Sequence, residues 1–160
     1  MIASPQAALN HAAAMAPTAA DTVGIGIDLV STDLVRSAVQ SGGQAFLDLI
    51  WTDTEQDEAA GSAERLASRW AAKEAVMKAL NHGIGEVDPL DIEIRKNHEG
   101  GPIVFLRKSA ASIAESKKVH AWHISMSHEQ DWAVAVATAC RPHPDRSSGT
   151  IQPTELPSHE

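Results

Sequence analysis

The chain has one cysteine, few positive charges and no long apolar run. Cys140 stands alone among 160 residues, which excludes an internal disulfide and favours a reducing, cytoplasmic setting. As a small apolar residue at a strand end it needs no chemical role. Lys and Arg number 13 against 21 Asp and Glu, for a net charge of −8. No basic stripe exists to track a phosphate backbone, which argues against nucleic-acid binding. Nothing approaches the roughly 18–20 consecutive apolar residues of a membrane span. There is no internal repeat. His120, His123 and His128 do not read as a zinc site, because His123 and His128 point to opposite faces of a strand.

What is present is 43% apolar residues, enough for one globular core. The domain is expected over 23–140. Residues 1–22 are alanine-rich but lack the basic start and continuous apolar stretch of a signal peptide, so a disordered extension is expected there. The proline-bearing tail at 141–160 is expected to be disordered too.

Three segments carry the chemistry. In Arg69–Leu80, helical spacing puts Leu66, Trp70, Met77 and Leu80 on one apolar stripe, with Lys73 inside it. Glu74 and Lys78 lie one turn apart on the neighbouring face beside Ala67 and Ala71. They form either a surface ion pair or the wall of an anion site. In Val23–Val30, Val23, Ile25, Ile27 and Leu29 point one way; Gly24, Gly26 and Asp28 point the other. The glycines mark close approach of a ligand or of a packed helix, and Asp28 serves that ligand or caps the next helix. His123–Glu129 is a strand with polar residues on both faces near its end.

The outline is α+β. The strand at 23–30 leads to a helix near Asp33–Gln40, a break at Gly42-Gly43 and a helical Phe46–Ile50. Thr52 and Glu55 form a capping box. A long helix spans 63–82, ended by Gly83 and Gly85. Hairpins follow at 91–107 and 121–139, with a helix at Ala110–Lys117 between them.

Gly24-Ile25-Gly26-Ile27-Asp28, Trp70-Ala71-Ala72-Lys73-Glu74-Ala75 with Lys78, and Ser125-Met126-Ser127-His128-Glu129 together resemble the signatures of holo-[acyl-carrier-protein] synthases, the small trimeric class of 4′-phosphopantetheinyl transferases. The resemblance implies a long helix packed on an antiparallel sheet with C-terminal hairpins, and a homotrimer with active sites between subunits. It implies transfer of the phosphopantetheine arm of coenzyme A to a serine of an apo acyl carrier protein or carrier domain, in support of fatty acid synthesis, with release of 3′,5′-ADP. The implied metal ligands for Mg²⁺, or Mn²⁺, are Asp28 and Glu74. The implied catalytic residues are Glu74, Lys78 and His128. The implied coenzyme contacts are Arg69, Lys73, Lys78, Gly83, Gly101, Pro102 and His128. Glu74 is the expected acceptor of the serine proton, with His128 the competing base.

Two departures bear on the partner. Where the family often has Glu and Arg after the strand aspartate, this chain has Ser31 and Leu34, with Arg36 nearby; Leu49 replaces a further arginine. A patch of Arg36, Arg65 and Arg69 could compensate; otherwise docking rests on apolar contacts such as Leu34 and Leu49. The rival readings are a non-catalytic coenzyme A or carrier-binding module and a metal-dependent nuclease. The Glu-x-x-x-Lys spacing disfavours the nuclease.

Overall fold

The computed structural model describes residues 21–141. The expected extensions therefore lie outside the described residues, apart from Asp21, Thr22 and Arg141. The elements run β1 (Thr22–Ser31), α1 (Thr32–Ile50), α2 (Asp53–Ala59), α3 (Ala63–Ala79), a 3₁₀ turn (Pro89–Asp91), β2 (Ile92–Lys96), β3 (Pro102–Leu106), α4 (Lys108–Ser116), β4 (Ala121–His128) and β5 (Trp132–Cys140). The main sheet is antiparallel in the order β1-β5-β4, and β2-β3 is a separate hairpin. No helix among the described residues is long and apolar enough to cross a membrane.

Local chemistry sets the helix ends. Ser31, not Asp28, caps α1, accepting from Leu34 N at 3.5 Å. Asp28 is thereby left free for other work. Gly43, at φ 57° and ψ −148°, breaks α1 where Gly42-Gly43 foretold a break. Thr52 and Glu55 make the expected capping box in both directions. The long helix ends at Ala79, three residues before the expected 82. Asn81 takes the left-handed position at φ 56°, while Asn81 N donates to Lys78 O and His82 N to Met77 O. These two bonds close a Schellman turn. Asparagine tolerates that conformation well enough to stop the helix before either glycine is reached.

The core is built by close approach. On β1 and β5 the helix-facing side is mostly glycine and alanine: Gly24 pairs with Ala139, Gly26 with Ala137 and Asp28 with Ala135. Against it lie Ala71, Ala72, Ala75 and Ala79 of α3, all buried. A Cβ built on Gly26 would sit 1.9 Å from Ala75 O, and one on Gly24 2.0 Å from Ala79 O. The two glycines therefore admit the helix, and the alternative of a ligand lying on the strand is overturned. Trp51 anchors a second cluster, donating Nε1–H to Leu66 O at 3.1 Å with its ring edge-on to Phe46.

The opposite face of β1 is bare. Ile25, Ile27 and Leu29 are about two-thirds exposed, and Trp132 and Val136 of β5 are open beside them.

Gly26→Ala is expected to cost about 3 kcal/mol or more, because helix backbone cannot yield a whole methyl group. Gly83, with nothing within 4 Å of its added Cβ, is the control: Gly83→Ala should stay within about 0.5 kcal/mol of the parent. Urea denaturation of both variants checks this, and equal losses would refute the close-approach account.

Candidate active site

Where Ala75 and Ala79 touch β1, the next residues along both elements are forced together. Lys78 Nζ bonds Asp28 Oδ1 at 2.5 Å and Ile27 O at 3.1 Å. Glu74, one turn earlier on α3, lies against the Asp28 carboxyl closely enough for a shared proton. Burial, and then Asp28 itself, push the Glu74 carboxyl up to about 7, against the opposing pull of Lys78. Hydrogen bonding to Asp28 outweighs desolvation to raise Lys78 above its ordinary value. Lys78 keeps half its surface in solvent, so its amine can leave Asp28 for a ligand.

One atom in this group is unsatisfied. Asp28 Oδ2 is buried and has no hydrogen-bond partner, and an ionised Glu74 offers it no donor. Two adjacent carboxylates with a spare oxygen suit a hard divalent cation. Among the described residues no three His, Cys, Asp or Glu side chains come together as a cage. The donor set therefore fits an ion such as Mg²⁺, which completes its shell with phosphate and water rather than with protein.

The other expected residues are distributed differently. Lys73 does not reach towards this site. It is fully buried, with its amine on Glu55 Oε2 at 2.8 Å, Ile50 O at 2.6 Å and Pro89 O at 2.8 Å. Burial lowers its pKa, and Glu55 opposes that fall. Arg69 is 1% exposed and bonds Glu58 at 2.6 Å, so both side chains are buried and engaged within the protein. Arg36 is held by Asp33 and Glu64. With Arg69 buried, the basic patch of Arg36, Arg65 and Arg69 is not assembled. Leu34 and Leu49 remain exposed.

Gly83 lies on the exposed loop after α3, its carbonyl accepting from Val87 N at 3.1 Å. Gly101 ends the turn of the separate hairpin and Pro102 begins its second strand; the turn is closed by Glu99 N and Gly101 N, which both donate to Asn97 Oδ1. His128 ends β4 and is exposed. Register sets Asp28 beside Ala135 and Met126, and His128 beside Ala133. At about 4.8 Å between strands and 3.4 Å per residue, the two α-carbons stand about 12 Å apart. Among the described residues, no hydrogen bond or ion pair joins His128 to Asp28, Glu74 or Lys78.

An apolar cavity of about 430 Å³ is lined by Leu29, Val30, Leu34, Phe46, Trp70 and Ile84 among others, and none of Asp28, Glu74 and Lys78 lines it. Sequence reasoning missed it because its walls come from four separate segments. It also missed the second role of Glu55, seen only as a cap.

The profile of the 4′-phosphopantetheinyl transferase superfamily matches residues 24–137. The chain belongs to this superfamily. A holo-[acyl-carrier-protein] synthase of Desulforudis audaxviator is 42% identical over 123 residues, covering 75% of this chain and 94% of that protein. The Helicobacter pylori holo-[acyl-carrier-protein] synthase in complex with coenzyme A superposes with a TM-score of 0.67 at 31% identity, over 72% of this chain and 98% of that one. The Bacillus anthracis synthase in complex with CoA (3′,5′-ADP) gives 0.63 at 34%, over 76% and 99%. The α+β arrangement of this transferase, a long helix on an antiparallel sheet, is thus the one the motifs implied.

The Glu74 shift has a stability signature. Its folded value of about 7 exceeds the ordinary 4.5, so the folded state holds this proton more tightly than the unfolded chain does. The resulting stability is fully present below about pH 4.5 and is lost as pH rises through about 7. In EDTA, Glu74→Gln should therefore gain about 1–3 kcal/mol on the parent between about pH 5 and pH 8. Denaturant titrations at both values test this, and a flat difference would show that Glu74 ionises normally.

Proposed function

We infer that this protein moves the 4′-phosphopantetheine arm of coenzyme A onto a serine of an apo acyl carrier protein or carrier domain, releasing 3′,5′-ADP. The observation that carries this reading is the meeting of Asp28, Glu74 and Lys78, within the span that matches the superfamily. The serine oxygen attacks the pantetheine phosphorus, and the bond to the bridging pyrophosphate oxygen breaks. Such a transfer needs alignment and charge neutralisation more than covalent catalysis. Mg²⁺, or Mn²⁺, held by Asp28 and Glu74 would neutralise the pyrophosphate. Glu74, poised near neutrality, takes the serine proton. Lys78 turns from Asp28 to the charge developing on the departing 3′,5′-ADP. The reading makes this a cytoplasmic enzyme that supports fatty acid synthesis.

We further propose a homotrimer with sites between subunits. The row of exposed Ile25, Ile27 and Leu29, continued by Val136 and Trp132, is a sheet face of the kind that marks a protein contact. Within one subunit no hydrogen bond or ion pair among the described residues joins His128 to Asp28. Across a subunit boundary, His128 with Gly101 and Pro102 would serve the coenzyme held by a neighbour's Asp28, Glu74, Lys78 and Gly83.

Mass spectrometry of an apo carrier protein incubated with coenzyme A and Mg²⁺ tests the reaction. The carrier should gain the mass of one phosphopantetheine arm, and EDTA or Asp28→Ala should abolish the gain. No gain with free carriers or with synthase carrier domains would favour a binding-only module.

Ile27→Glu tests the assembly. A charge on the bare face should give monomers by light scattering and cut turnover about 100-fold or more, through loss of the shared site. A fully active monomer would refute interfacial sites.

A further inference from the structure

Lys73 is the residue whose place in the molecule the reaction leaves unexplained. It precedes Glu74 in sequence yet is 0% exposed, as is its partner Glu55. Its ammonium has three donors, and all three are used: on Glu55, on Ile50 O at the end of α1, and on Pro89 O in the loop before β2. Glu55 is equally saturated. Its Oε2 also accepts from Thr52 N at 2.9 Å, and its Oε1 from Ile94 N at 2.9 Å. Four segments of chain thus converge on one buried ion pair.

Stability does not account for this arrangement. A buried ion pair is often no better than apolar side chains of the same volume, because desolvation cancels the attraction. What it supplies beyond grease is direction. Apolar contacts let a helix turn or slide at small cost, whereas three hydrogen bonds of fixed geometry do not. Neighbouring residues on a helix point about 100° apart. With Lys73 fastened on the side of Ile50 and Pro89, Glu74 is delivered to the side of β1, against Asp28.

We propose that Lys73 is a positioning residue: its buried amine, with Glu55, fixes the rotation of α3 that presents Glu74 to Asp28. The proposal rests on the functional reading above, in which Glu74 acts on the serine. It assigns Lys73 no contact with coenzyme A. Methionine would fill much the same volume but leave the Ile50 and Pro89 carbonyls unpaired and the Glu55 charge uncompensated.

The test is a double-mutant cycle in the full chain, using Lys73→Met, Glu55→Gln and the pair, at a temperature where circular dichroism shows every variant folded. Each single change should lower kcat about 10- to 100-fold while KM for coenzyme A stays within about threefold, because misplacement of a reacting group acts on the transition state. The double variant should be no slower than the slower single, since both changes break one clamp. Should Lys73→Met fail to fold, Glu55→Gln alone carries the kcat test, because it keeps the side chain's volume. A normal kcat in a folded variant, multiplicative losses, or a raised KM with intact kcat would each overturn the proposal; the last would mean that the amine contacts the coenzyme. If the parent itself transfers nothing to any carrier, the functional reading fails separately. The crystal structure of Lys73→Met then decides the clamp: Glu74 displaced from Asp28 upholds it, and Glu74 unmoved refutes it.

Discussion

Contact between the backbone of α3 and the backbone of β1 governs the rest of this molecule. Gly24 and Gly26 leave no room even for a methyl group beneath Ala79 and Ala75. A helix packed on a sheet through larger side chains would stand farther off, with its charged residues out of reach of the strand. Here the separation is set by glycine and alanine on both sides, so Glu74 and Lys78 are brought onto Asp28. Burial there gives Glu74 its raised pKa and leaves Asp28 Oδ2 without a partner. The small-residue interface thus produces the electrostatics of the site, and tight packing offsets the cost of crowding two carboxylates.

The same helix sorts its charges by face. Lys73 and Lys78 are five residues apart and share a chemistry, yet one is wholly enclosed and the other half in solvent. The enclosed amine meets three fixed acceptors and has no freedom left. The open amine holds an aspartate and one carbonyl on a flexible stem, and can be drawn to an arriving phosphate. Glu55 and Glu74 repeat the contrast. Glu55 has each oxygen committed to backbone amides or to Lys73. Glu74 lies beside another carboxylate and is left ready to exchange a proton or accept a cation. Rigidity and reactivity are thus divided between neighbouring positions of one motif.

Much of this was legible in the chain because it depends on local chemistry. The capping box at Thr52 and Glu55, the break at Gly43 and the two hairpins follow from residue types at short spacing. The positions of Asp28, Glu74 and Lys78 followed from motif and periodicity together. What was not legible depends on distance through space. Strand alternation placed Gly24 and Gly26 on one face, but only the packed helix shows that they meet backbone. Lys73 inside an apolar stripe signalled a partner without naming it; the matching acid lay eighteen residues upstream, disguised as an ordinary cap. Arg36 and Arg69 looked available for docking because their own carboxylates, Glu64 and Glu58, come from elsewhere in the chain.

Strand β1 also ties assembly to catalysis. Its even positions carry Gly24, Gly26 and Asp28 towards α3, and its odd positions carry Ile25, Ile27 and Leu29 outwards. Because alternation is fixed by the pleat, a shift of one residue in register would exchange the two sets. It would drive isoleucine into a helix backbone that has no room for it. The register is therefore held from the inside, by the glycines, and the outward apolar row is placed as a consequence. Under the proposed trimer, contacts along that row act on a strand whose other face carries Asp28. Subunit association and the position of Asp28 are then coupled through a single rigid element, with no moving part between them. That coupling gives a physical reason for a small domain to divide its active site between copies: the strand that must be covered by a neighbour is the strand that must be held still.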